Sequence, residues 1–388
     1  MLNQQKLIKE IERLDKSLFS YNNSQIKTAC DKWQDIGNDE NFAKRVAGSK
    51  SSFLLPSWHG RLTDTFEIKP ELKKYSVFAV DGSQVYPDRH MSGINCFLIN
   101  TGQALLEYSQ PSIAKFQSDP YILTPEKIIP AIQDHFAPDF IDLKREEMEL
   151  ETAFKKACEL NIKYRAQFTP LVVLIDGSII FWQLEGKHPE IKKYFLSQYM
   201  AQLNNFYEHK IPMAGYISMP KSKELVNLVK IGLCRFEKAD CIKCHSEYTV
   251  FPCKEVDHVL DTQLKSEFLP TNHRSTIFYS NSKITELYPE HLKPCFVYLN
   301  VGKEIARLEF PLWVTQKLEH LDLLCKVAID QAIKGQGYPV VLSEAHEQAV
   351  IKSSDKDLFL QLIYKKSIMQ KRRILLSPKS LKKHLVNI

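Results

Sequence analysis

Two apolar runs that each end in Asp-Gly-Ser, with a hairpin and a long acidic helix between them, predict an α/β protein. The fold class is a ribonuclease-H-like mixed β-sheet flanked by helices, with an N-terminal helical lead-in and a cysteine-containing insertion. In that element order, carboxylates from the first strand, the first helix and the fourth strand converge at one edge of the sheet.

Each element has a local reason. Leu7, Ile8, Ile11, Leu14 and Leu18 fall at helical spacing and predict an amphipathic helix over 2–20. Residues 21–70 are polar and broken by Gly37, Gly48, Pro56, Gly60 and Pro70, and complete a lead-in over 1–75. A core over 76–352 then opens with the strand 77–80, ending at Asp81-Gly82-Ser83. The runs 94–99 and 103–108 flank Asn100-Thr101-Gly102 and predict a hairpin. From 138 to about 163 no glycine or further proline interrupts a charged stretch, and Ile141, Met148, Phe154, Ala157 and Leu160 give it an apolar face. The run 171–175 is the strongest buried strand of the chain and ends at Asp176-Gly177-Ser178. A helix over 188–208, a strand over 213–218 and a helix over 222–232 precede an irregular insertion over 233–272. Strands at 295–301 and 304–310, a helix at 314–334 and a strand at 338–342 close the core, and helices fill a basic tail over 353–388.

Composition bounds the function classes. With 44% hydrophobic and 25% charged residues the chain has the balance of a globular protein, which excludes disordered, collagen-like and coiled-coil readings. No uncharged apolar stretch approaches a bilayer span, so no membrane role is expected. The start MLNQQKLIKEIERLDKSLF carries a charge every few residues and does not read as a signal peptide. Nine cysteines, an odd number, suggest reduced thiols and a cytoplasmic protein. Within the net charge of +6, residues 358–388 hold eight Lys/Arg and no acid, while the rest sums to −2. That asymmetry suits phosphate or an acidic partner, or a solvated helix end.

The chemistry starts from the paired Asp-Gly-Ser. Asp-Gly also favours a tight turn, but Ile179-Ile180-Phe181-Trp182 leads into a helix rather than a partner strand. Asp81 and Asp176 at two strand ends, with a carboxylate from the helix, suit Mg²⁺ or Mn²⁺, which take oxygen ligands and substrate phosphate. Two such ions can stabilise the attacking and leaving oxygens of a phosphodiester. The helix offers Glu146, Glu147, Glu149 and Glu151; Glu149 shares a face with Arg145, four residues before it, and is the preferred candidate. In Gly337-Tyr338-Pro339-Val340-Val341-Leu342-Ser343-Glu344-Ala345-His346 a short strand opens into a helix with His346 in its first turn, where a histidine can bind metal or move a proton.

The set FAVDGS, REEMELETA, VVLIDGS and GYPVVLSEAHEQAVI, in this order over residues 76–352, resembles the NurA family of DNA end-resection nucleases, as do RLEFPLW and HRSTIF more weakly. The resemblance implies a Mn²⁺-dependent (or Mg²⁺-dependent) deoxyribonuclease, 5′→3′ on linear DNA and endonucleolytic on single strands. It also implies a homodimer that works in repair with HerA, a hexameric DNA-translocating ATPase. By that resemblance Asp81, Glu149 and Asp176 are the acidic metal ligands, His346 the last metal-site residue and Tyr338 the residue that positions the scissile phosphate. Arg274 and Lys221 are weaker candidates for phosphate contact. No Walker A sequence is present, so any ATP dependence comes from a partner.

Cys234, Cys241, Cys244 and Cys253, in a C-x6-C-x2-C-x8-C pattern beside His245 and His258, suggest a structural Zn²⁺ site or else free thiols. A non-catalytic DNA-binding scaffold on the same fold is the competing function, and an enzyme acting on RNA the third; DNA and RNA differ at the 2′-OH, which a sequence does not show.

Overall fold

The structure is a computed structural model that describes residues 2–15, 23–86, 91–92, 96–124, 138–370 and 375–376. The chain forms two compact units, 64–220 with 269–388, and 1–63 with 221–268. Residues 1–63 of the lead-in and 233–268 of the cysteine-bearing insertion thus fall in one unit, while 64–75 and 269–272 fall in the larger one.

The larger unit is built on strands β1 (Tyr75–Val85), β2 (Phe97–Tyr108), β3 (Ile113–Leu123), β4 (Leu171–Asp176), β5 (Met213–Ile217), β6 (Pro294–Asn300) and β7 (Ile305–Pro311). They lie in the order β6-β7-β5-β4-β1-β2-β3. β4 is parallel to β1 and β5; the other pairings are antiparallel. Within β3-β2-β1-β4-β5 only β2 therefore runs against the rest, which is the ribonuclease-H-like arrangement the sequence predicts. β1 and β4 are buried along almost all of their apolar residues, as parallel central strands covered on both faces must be.

Helices α1 (Pro138–Ala166), α2 (Pro189–His209), α3 (Leu318–Lys334), α4 (Val340–Ala349) and α5 (Ser353–Met369) accompany this sheet. α1 and α4 pack on opposite faces of β1 and β2. A Cβ on Gly82 would meet Arg145 and Glu149 of α1, whereas one on Gly102 would meet the backbone of Ala345, Gln348 and Ala349 in α4. Side chains alternate along a strand, so Asp81, opposite Gly102 in the register, faces α4, and Gly82 faces α1.

Three expectations are corrected. β1 runs through Asp81-Gly82-Ser83 to Val85 instead of ending there. The predicted hairpin does not exist: Asn100-Thr101-Gly102 lies inside the single strand β2, and the chain reverses after Tyr108. Gly102 is needed for the close approach of α4, not for a turn. The predicted strand 338–342 is the start of α4, whose last turn, not first, carries His346.

In the smaller unit, helix Asn23–Gly37 buries Ala29, Trp33 and Ile36, and Gly232 in helix Glu224–Leu233 leaves room for Ile36. Asp261 caps that second helix, its carboxylate accepting the N–H groups of Leu225 and Val226 at 2.8–3.1 Å. Lys265 lies 4.4 Å over the Trp33 ring, and burial pushes its ammonium down to about 7 against the pull of Asp261. The first helix spans Gln4–Glu12 and leaves Leu7, Ile8 and Ile11 exposed; its predicted continuation over 16–20 and residues 371–374 and 377–388 of the basic tail lie outside the described residues. No helix among the described residues is long and apolar enough to cross a membrane.

Candidate active site

The parallel register pairs Val80 with Ile175, so the next residues, Asp81 and Asp176, stand side by side on adjacent strands. Neighbouring strands are about 4.8 Å apart, and both carboxylates point to the α4 face. Asp81 Oδ1 accepts from the Gly82 N–H at 2.8 Å, and Oδ2 lies 2.7 Å from His346 Nδ1. The Asp81 side chain is 17% exposed and the His346 ring 60%, so the ring forms the solvent edge of the pair. The Tyr338 hydroxyl, just before α4, is close enough to Asp176 for each group to shift the other's titration. Burial raises the Tyr338 hydroxyl and the neighbouring Asp176 carboxylate raises it further, which keeps it a proton donor.

α4 reaches this position because of β2. Gly102 lets the helix backbone settle on the strand, and Ala349 O accepts from Ser83 Oγ and from Asn100 Nδ2, the latter at 2.8 Å. Asn100, which reads as a turn residue, ties down the turn that carries His346.

Glu149 approaches from the opposite face through the space left by Gly82, whose missing Cβ it would otherwise strike. It is ion-paired with Arg145, which also donates to Gly82 O at 3.4 Å. Burial pushes Glu149 up to about 8; Arg145 pulls it down, and Asp81 and Glu146 push it further up. Burial likewise raises Asp176, with Asp81 adding to the rise while the Tyr338 hydroxyl and His346 oppose it. Among the alternative acids, Glu147 pairs with Lys144 at 2.7 Å and Glu151 with Lys155, whereas Glu146 lines the same cleft as Glu149. That cleft, about 420 Å³, also takes in Asp81, Asp142 and Asp176.

The loop after Asp176 is fixed from beneath. Gly177 adopts φ +106°, open to glycine at little cost. Ser178 Oγ and the Ile179 N–H donate to Glu309 Oε2 at 2.6 and 3.1 Å, and Glu309 Oε1 pairs with Arg307 Nε at 2.7 Å in full burial. Glu309 and Arg307 sit in the RLEFPLW stretch, but nothing in the sequence ties them to the second Asp-Gly-Ser. Glu304, also missed, accepts from Tyr216, Ser218 and the Met219 N–H, and Tyr216 packs edge-on against Tyr338 at 5.7 Å.

Five candidates, Asp81, Glu149, Asp176, Tyr338 and His346, are thus brought together. Arg274 is not: the residue is 7% exposed, and its guanidinium lies 4.2 Å over Phe66 and donates to Ser275 O. Lys221 belongs to the smaller unit and is exposed.

The acidic donor set suits a hard divalent cation in its chemistry, with three carboxylates lining one cleft and the His346 imidazole hydrogen-bonded to one of them, Asp81. Among the described residues no three His, Cys, Asp or Glu already stand as a metal-ligand group. Glu149 is engaged with Arg145 and Asp81 with His346, so the charge a cation would neutralise is held by neighbouring donors. The four candidate zinc cysteines, Cys234, Cys241, Cys244 and Cys253, are free and half-buried. Burial raises the Cys244 and Cys253 thiols, Cys234 and Cys241 adding to the rise at Cys244, and Cys244 and Cys234 to that at Cys253. His245 Nδ1 lies 2.7 Å from Cys241 O.

A family model described as the NurA domain matches residues 75–351. Among solved structures, the crystal structure of the NurA nuclease from Sulfolobus solfataricus aligns with a TM-score of 0.47 at 15% identity, covering 87% of this chain and 94% of that one. No curated protein sequence matches the chain. The family match takes in both Asp-Gly-Ser strands, the acidic helix and the Tyr338–His346 segment, and on that match the chain belongs to the NurA family.

Proposed function

We propose that this chain is a Mn²⁺- or Mg²⁺-dependent deoxyribonuclease that degrades linear DNA 5′→3′ and cuts single strands internally. Membership of the NurA family supports the nuclease role. In the same reading it acts in the cytoplasm as a homodimer, with a HerA-type hexameric ATPase, in DNA end resection.

One observation carries the reading: Asp81 and Asp176 lie side by side, Asp81 hydrogen-bonded to His346 and Asp176 beside Tyr338, with Glu149 in the same cleft. Asp81, Asp176 and Glu149 would hold the divalent cation, which when bound supplies charge neutralisation and Lewis acidity at a phosphodiester. The protein's own groups do the rest. Asp81 fixes the His346 ring through Nδ1, leaving Nε2 on the exposed side to take a proton from an attacking water or return one to the leaving oxygen. Tyr338, beside Asp176, offers a phenol to the scissile phosphate. Arg145 balances the acidic cleft and keeps Glu149 ionisable in a buried setting.

The test is cleavage of a linear duplex labelled at one 5′ end, and of a matching single strand, with Mn²⁺, Mg²⁺ or EDTA. Metal-dependent degradation by the wild type, abolished by Asp81→Ala and by His346→Ala, is expected. Intact DNA under every metal, with binding retained and no rescue by the ATPase partner, would instead make the chain a scaffold.

A further inference from the structure

The wall of the acidic cleft presents one feature the hydrolytic reading leaves unused. After Asp176 the chain buries Ile179, Ile180, Phe181 and Leu184 to 1% exposure or less, yet Trp182 in their midst is 38% exposed and lines the same cleft as Asp81, Glu149 and Asp176. The segment is firmly held. Besides the Glu309 contacts, the Phe181 N–H donates to Tyr288 Oη at 3.0 Å, that hydroxyl donates to Ile179 O at 3.1 Å, and the Trp182 N–H donates to Ile180 O at 2.8 Å. The indole is therefore presented by a rigid support, six residues from a candidate metal ligand.

We propose that Trp182 is a stacking platform for one unstacked nucleobase next to the scissile phosphate, so that the cleft takes single-stranded or frayed DNA ends. The acidic floor repels the phosphate backbone, which gives a neutral aromatic surface particular value there. Base stacking on an aromatic side chain is tolerant of sequence, as a degradative nuclease requires. Inside a duplex both faces of a base are covered by its neighbours, so only a terminal, frayed or single-stranded base can lie on the indole. The proposal rests on the nuclease reading for its site but not for its test.

Binding of a fluorescein-labelled single-stranded oligonucleotide is measured with Mn²⁺ in the His346→Ala background, alongside cleavage by otherwise wild-type protein. Trp182→Ala should weaken binding about 10- to 100-fold, and Trp182→Phe, which keeps a smaller ring, should fall between. One abasic position in the oligonucleotide should reproduce the loss in the parent and add little in Trp182→Ala. Binding of Trp182→Ala within twofold of the parent, or an abasic effect that persists unchanged in Trp182→Ala, overturns the proposal. Cleavage absent in the wild type with the binding pattern intact would fail the nuclease reading alone, whereas no binding by any form would overturn both.

Discussion

His346 Nδ1 lies 2.7 Å from Asp81 Oδ2, joining the last turn of α4 to the middle of β1 across 265 residues of chain. The carboxylate orients the ring through this contact. Two groups that work as one unit lose most of their effect when either is removed. His346→Ala and Asp81→Asn should each lower the single-turnover cleavage rate about 10²-fold or more. The double variant should be little worse than the poorer single one. Multiplied losses in the double variant would separate the two roles.

Glu149 titrates near 4.5 when unfolded and at about 8 in the fold, where burial opposes its charge. The unfolded chain therefore releases this proton first, and stability falls as pH rises from about 4.5 to about 8 and levels off above it. Glu149→Gln removes this dependence. Between pH 5 and pH 9 the wild type should lose up to about 4 kcal/mol more stability than Glu149→Gln, read from urea unfolding of metal-free protein. Parallel pH curves for the two proteins would contradict the assignment.

Two glycines of the sheet should fail differently. The atoms that a Cβ at Gly102 would strike are backbone of α4, which cannot move without the helix. Gly102→Ala should cost about 1–3 kcal/mol in urea unfolding and carry His346 away from Asp81. At Gly82 the atoms met are side chains, Glu149 and Arg145, which can turn aside. Gly82→Ala should cost less stability than Gly102→Ala while weakening Mn²⁺-supported cleavage at least tenfold by displacing Glu149. Equal stability losses at both positions would show that α1 and α4 meet the sheet alike.

Glu309 is the buried support of the loop behind Asp176, bonded to Ser178, Ile179 and Arg307. Glu309→Ala strips the buried Arg307 guanidinium of this carboxylate and should cost about 3–5 kcal/mol. Glu309→Gln keeps an acceptor for the loop and should cost less. Chemical denaturation of the two variants measures the difference.

The parts of this architecture that were legible in the sequence are those with a local signature. Continuous apolar runs mark β1 and β4 because central parallel strands are buried on both faces, and the i, i+4 relation of Arg145 and Glu149 survives intact in α1. What was misread depends on contacts distant in the chain. Asn100-Thr101-Gly102 has the composition of a turn, yet Gly102 serves α4 and Asn100 bonds to its carbonyls. Val340-Val341-Leu342 has the composition of a strand, but tertiary burial of a short helix overrides that propensity. Glu304 lies in no motif, and the RLEFPLW stretch that holds Glu309 does not reveal its partners, because those are set by the pairing of β5 with β7 and by loops more than 80 residues away.

Binding of Mn²⁺ tests the central claim most directly, followed by the electron paramagnetic resonance signal of the free hexaaquo ion as protein is added. Asp81→Asn and Asp176→Asn should each weaken binding at least tenfold relative to the wild type, and the double Asn variant should leave the ion in solution. Undiminished Mn²⁺ binding by a folded double variant would place the ion elsewhere and contradict the assignment of these carboxylates as the metal centre.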